Sequence, residues 1–169
     1  MKRIVRIFLA VFLLLPMPFA SANAGDVNPN LVLDHVKVIQ ASERDGDELY
    51  FDIGVYQVNQ PTQYIRIPEK PKHWPSQLMD KVMHVPLWSQ ALKPGQTVTL
   101  IVSLMESDGS LLNPDDLIGS MRVTLKNDNG TLQTRWSIPN RPGDLVASDI
   151  QKFDLQGEGK YEVYLGIKK

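Results

Sequence analysis

The chain has 169 residues, a formal net charge of −1 and no cysteine. Thiol catalysis, disulfide staples and lipid attachment at a cysteine are therefore excluded. No run of Lys or Arg exceeds two residues, which argues against the basic face that a nucleic-acid binder needs.

The N-terminus reads as an export signal. Lys2, Arg3 and Arg6 form a basic start, Ile7–Leu15 is an apolar run, and Ala20-Ser21-Ala22 and Ala22-Asn23-Ala24 are small-x-small cleavage sites. Residues 1–24 are expected to be a cleaved Sec-type signal peptide, too short and wrongly flanked for a membrane anchor. Residues 25–169 are then a single domain, large enough to bury one core without staples. No second apolar run of spanning length occurs, so no transmembrane segment is expected in the mature protein. Without Lys2, Arg3 and Arg6 the count is 15 basic to 19 acidic residues, a net charge of about −4. An exported domain without disulfides fits a bacterial periplasm, or secretion beyond it.

Strand signals dominate residues 25–169. Val36 and Val38 alternate within a candidate strand over 34–40. Leu49, Phe51, Ile53 and Val55 alternate with Tyr50, Asp52, Gly54 and Tyr56, the period of a half-buried strand. Tyr64–Ile67 is a short run ended by Pro68. Glu69–Pro75 carries two prolines four residues apart and is expected to be an irregular loop. A short turn or helix is expected at 76–80, then a strand at 81–87. Lys93-Pro94-Gly95-Gln96 fits a type II turn. Thr97–Met105 and Leu117–Lys126 are strands, with Ile118, Met121, Val123 and Leu125 as core candidates. Asn127-Asp-Asn-Gly130 is a hairpin turn leading into Leu132–Ile138, where Trp136 is expected in the core. Ile150–Leu155 and Tyr161–Ile167 form a last hairpin around Gln156-Gly-Glu-Gly159. The expected fold is all-β, an antiparallel two-sheet β-sandwich of eight or nine strands, with a closed barrel as the rival.

The chemistry concentrates in Glu106-Ser-Asp108-Gly-Ser-Leu-Leu-Asn-Pro-Asp115-Asp116-Leu-Ile-Gly119, four carboxylates in a loop between two strands. Oxygen-rich loops at the rim of a rigid sheet are suited to hard cations such as Ca²⁺. Val102-Ser-Leu-Met-Glu106-Ser-Asp108, followed by Asp116-Leu-Ile-Gly119-Ser-Met-Arg-Val-Thr-Leu125, resembles the second acidic loop of C2 domains, the calcium- and phospholipid-binding β-sandwiches. In that family a strand leads through Asp-x-Asp and a short loop into Asp-hydrophobic-Ile-Gly. This chain departs from it in having Glu106 where Asp is usual and a loop about two residues longer. Asp45-Gly46-Asp47-Glu48-Leu49-Tyr50-Phe51 is similar in character to the family's other acidic loop, with tighter Asp spacing and no Pro before the Tyr. The resemblance spans residues 31–126. It implies a C2-like sandwich in which Asp45, Asp47, Glu106, Asp108 and Asp116 meet at one end and bind Ca²⁺. The implied partner is a phospholipid headgroup or a protein. Asp115 is an alternative ligand to Asp116, with Asp115 at the turn and Asp116 facing inward the favoured arrangement.

Blander readings apply to the same residues. Acidic residues are common in β-turns, where they bond to the backbone and keep loops soluble, so a metal-free structural or adaptor sandwich of the envelope is the alternative. His35, His73 and His84 follow no zinc-ligand spacing. No catalytic motif of a hydrolase, zinc protease or phosphate-binding loop is present, so the expectation is a non-enzyme; a carbohydrate-binding or hydrolytic domain is the lesser alternative. Trp74, beside Pro75 in a loop, is a possible partner contact or a cover for one end of the sandwich.

Overall fold

Period-two alternation becomes, among the described residues, ten strands in two antiparallel sheets. The structure, a computed structural model, describes residues 25–108, 114–145 and 148–168. The expected leader over residues 1–24 and the middle of the acidic loop, residues 109–113, lie outside the described residues.

The strands are β1 (Asn30–Gln40), β2 (Glu48–Gln57), β3 (Gln63–Ile67), β4 (Trp74–Pro75), β5 (Val85–Ser89), β6 (Thr97–Glu106), β7 (Asp116–Asp128), β8 (Thr131–Ser137), β9 (Ile150–Gln156) and β10 (Lys160–Lys168). One sheet runs β5-β1-β10-β9. The other runs β3-β2-β6-β7-β8, with β4 paired to the start of β2. Both sheets have free edges, so the fold is a sandwich and not a closed barrel. A six-residue 3₁₀ turn, Ser76–Lys81, joins β4 to the segment before β5.

Inward rows from both sheets make the core. Leu49, Phe51, Ile53 and Val55 of β2 and Val98, Leu100, Val102 and Leu104 of β6 face Phe153 and Leu155 of β9 and Tyr161, Val163 and Leu165 of β10. In β7 the row reads Ile118, Met121, Val123, Leu125, all buried. The first step is three residues and not two, because a bulge opposite Leu104/Met105 inserts one residue and resets the phase. Trp136 is buried and meets Phe153 edge to face at 5.7 Å.

The strand count exceeds the expected eight or nine. Trp74–Pro75, expected in an irregular loop, pairs with Leu49 and Glu48. Pro75 is tolerated because it sits at a sheet edge, where a missing N–H breaks no ladder. The strand expected at 81–87 begins at Val85, because His84 adopts φ 54° and turns the chain before it. The turn expectations agree with the structure. Gln96 N–H donates to Lys93 C=O (3.0 Å) with Gly95 at φ 80°, and Asn129 and Gly130 both have positive φ (52° and 87°), as a two-residue hairpin requires.

At that hairpin Asn127 is fully buried and fully used. Its Nδ2 donates to Leu92 C=O (2.8 Å) and Gly25 C=O (3.0 Å), and its Oδ1 accepts from Gly130 N–H (2.7 Å). It ties the β7–β8 turn to the segment that precedes β1. Asn127→Ala would strand these groups and is expected to lower unfolding free energy by about 1–3 kcal/mol in urea titrations.

Candidate functional site

The inward row of β6 does not stop at Leu104. Val98, Leu100, Val102, Leu104 and Glu106 share one phase, and Glu106 is only 4% exposed. The row of β2 likewise extends backward from Leu49 to Asp47, which is 1% exposed. Leu49 lies opposite Glu106, and Glu106 lies opposite Asp116 at the start of β7. Strand alternation and register thus carry Asp47, Glu106 and Asp116 to one tip of the sandwich. The tip is built from the β1–β2 loop, the described parts of the β6–β7 loop and the β9–β10 turn.

Carboxylate oxygens of Glu106, Asp116 and Glu158 lie within 4.8 Å of one another. This partly buried triad could hold a metal ion. Glu158 was not among the sequence-derived candidates. It sits between Gly157 and Gly159 in the β9–β10 turn, and both glycines are needed for close approach. A Cβ on Gly157 would lie 2.8 Å from Ile118 Cα, and one on Gly159 would lie 2.9 Å from Gln40 O. The turn therefore packs onto both sheets and delivers Glu158 to the β7 side. An acidic residue between two glycines in a hairpin turn was the available signal.

The other expected ligands divide. Asp108 is half-buried, and its Oδ2 is buried without a hydrogen-bond partner among the described residues. It lies near enough to Glu106 to raise its pKa. Asp47 is already committed: it accepts from Ser42 N–H (3.0 Å), Ser42 Oγ–H (3.0 Å), Glu43 N–H (2.9 Å) and the Tyr161 hydroxyl. With its lone pairs so occupied it caps the β1–β2 loop and pins it to β10. Asp45 is exposed in the turn closed by Gly46 N–H on Glu43 C=O (3.2 Å), outside the triad. Asp115 accepts from Tyr50 Oη–H at 2.7 Å, with Arg66 Nη1 at 3.5 Å and the Arg66 guanidinium stacked over the Tyr50 ring. The Tyr50 bond, the Asp108 N–H and the Arg66 and Lys70 charges hold its carboxyl below the usual range against the opposing effect of burial. Asp115 therefore anchors the end of the loop, while Asp116 joins Glu106. Trp74 is half-buried, edge to face on Phe51 at 6.3 Å, and packs against the core. The histidines bind carboxylates: His35 and His84 both reach Asp34 (2.8 and 3.2 Å), and His73 lies 3.5 Å from Glu48.

Glu106 carries the strain of this assembly. Burial first, then the charges of Asp47, Glu43, Asp108 and Asp116, push its pKa up to about 7. Among the described residues its one hydrogen-bond donor is Ser42 Oγ at 3.5 Å, a hydroxyl whose single proton is better placed toward Asp47. The chain matches no protein-family model, and no curated protein matches it either.

A carboxyl whose folded pKa exceeds its unfolded value binds protons preferentially in the folded state, so stability is lost as pH rises from about 4.5 through 7. In chelator, Glu106→Gln is expected to stabilise the protein at pH 8 by roughly 1–3 kcal/mol, allowing for solvent screening at the tip, and to bring no gain at pH 4. Urea unfolding at the two pH values reads the difference. Gly157→Ala presses a methyl onto the Ile118 backbone and is expected to cost about 1–3 kcal/mol by the same assay.

Proposed function

We propose that this protein is an exported, C2-like binding module that takes up Ca²⁺ at its acidic tip and uses it to engage an anionic partner, a phospholipid headgroup or an acidic protein surface. The observation that carries the reading is the convergence of Glu106, Asp116 and Glu158 within 4.8 Å, with the Asp108 charge bearing on Glu106 and Asp108 Oδ2 buried and, among the described residues, without a partner. Like charges held that close repel, and a bound cation relieves them. Three to four carboxylates, completed by water and loop carbonyls, suit a hard cation that takes six to eight oxygens. They lack the imidazole and thiolate donors that softer metals prefer. A site assembled from separate loops at a solvent-facing tip agrees with the weak affinity of extracellular modules, Kd roughly 10⁻⁴–10⁻³ M. Ca²⁺ shared between the tip and a phosphate or carboxylate would give a mildly acidic protein a route to an anionic surface. No described helix is long and apolar enough to cross a membrane, and the proposed contact with lipid is peripheral.

The test is Tb³⁺ luminescence and Ca²⁺ calorimetry on the purified protein at pH 7.5. Saturable binding is expected, weakened tenfold or more in Asp116→Asn and in Glu158→Gln, with a melting temperature that rises in Ca²⁺ and falls in chelator. Sedimentation with phosphatidylserine vesicles, with and without Ca²⁺, then separates lipid from protein partners. No binding at 10 mM Ca²⁺ (about ten times the upper end of that Kd range) would remove the proposal.

One observation favours a second reading, a metal-free adaptor of the envelope. Asp47 is saturated by hydrogen bonds within the chain, so part of the acidic tip is plain architecture. That reading expects a melting temperature indifferent to Ca²⁺ and chelator.

A further inference from the structure

The smaller sheet has an edge that is only partly filled. β1 pairs with β10 along its length, but β5 covers its other side only from Asn30 to Leu33. The last bond on that side is His84 N–H to Asp34 C=O, 3.0 Å. Among the described residues no strand pairs with the outer edge from Val36 to Gln40, and no loop backbone bonds to it. The cause is local: His84, at φ 54°, swings the chain off the edge toward the 3₁₀ turn.

A groove of about 680 Å³ lies beside this stretch, within the range of pockets that hold ligands. Four consecutive β1 residues, His35 to Val38, line it. A strand face presents every second residue, so consecutive residues mean that the edge, with its main chain, forms the wall. Gln77 and Met83 stand on the other side.

We propose that the outer edge of Val36–Gln40 accepts an extended, uncharged peptide segment of a partner protein as an added strand of the smaller sheet. An unpaired strand edge offers N–H and C=O groups at the repeat of another extended backbone, and such a backbone satisfies all of them together. The same edge already takes an antiparallel strand a few residues upstream, in β5. Half-buried Val38 and half-exposed Met83 supply apolar contact for alternate side chains, and the thioether adapts to differing shapes. Lys37 and Arg44 are balanced on the groove wall by Glu43 and Asp80, so no net charge selects a charged guest. Residues of the 3₁₀ turn and Met83 line the groove beside the edge. A second copy pairing edge to edge would bring its own 3₁₀ turn, which packs against β1, to this edge as well.

The probe is a fluorescein-labelled heptapeptide of alternating Thr and Val, titrated with the purified protein in chelator so that cation binding plays no part. Saturable anisotropy is expected. Affinity should fall tenfold or more when every backbone nitrogen of the peptide is methylated, and likewise in Met83→Asp. Hydrogen exchange of those Val36–Gln40 amides that point away from β10, alternate residues of the strand, should slow at least tenfold on binding. The proposal is overturned by absence of saturable binding, by equal affinity for the methylated peptide, or by protection confined to other strands. It is also overturned if these amides are already protected in a concentration-dependent dimer seen by ultracentrifugation.

Discussion

The tip of this protein depends on one constraint: a strand cannot change phase without a bulge. β6 buries every second residue from Val98 onward, and nothing interrupts that phase before Glu106. The carboxyl must enter the interior because the four residues behind it in the row do. β2 imposes the same on Asp47 through Leu49 and Phe51. Two adjacent hydrophobic rows therefore end in acids, and the register of β2, β6 and β7 places those acids and Asp116 alongside one another.

The two buried acids are treated differently. Asp47 receives backbone and hydroxyl donors from Ser42, Glu43 and Tyr161, so its charge is compensated within the fold. Among the described residues Glu106 receives only the long Ser42 contact, and it is surrounded by like charge. A buried carboxylate in that position must be relieved by a proton or by a cation. Glu158, held in place by the packing of Gly157 against Ile118, adds a third carboxylate that a cation could bridge, where a proton would relieve only one charge.

Much of the fold was legible because strands and turns are written locally. Alternation in Leu49–Tyr56, the Lys93–Gln96 turn and the Asn127–Gly130 hairpin each appear in the structure where the sequence puts them. Of the misplaced elements, one depended on a non-local pairing and the other on a backbone turn at a single residue. Trp74–Pro75 becomes a strand only because the start of β2 has a free edge, and the β5 boundary depends on a positive φ at a histidine, which no pattern announces. At the site, Glu106 and Asp116 were visible as a loop signature. Asp47 was visible as an acid but not as a cap, since its donors come partly from Tyr161, 114 residues away. Glu158 was visible only as an acid between two glycines, since its place beside Asp116 comes from the other sheet. The C2 resemblance ended at residue 126 and so could not include it.

The β1–β2 loop joins the two proposed surfaces. Its Ser42 and Glu43 are fixed by Asp47 at the tip, while Glu43, Arg44 and Gly46 line the end of the groove beside the β1 edge. Glu43 belongs to both, since its charge also bears on Glu106. Neutralising the tip removes part of the field that Glu43 feels, and Glu43 in turn balances Lys37 and Arg44 in the groove. A cation at one surface and a peptide at the other would then act on the same short segment, and any free-energy coupling between them must be equal in both directions.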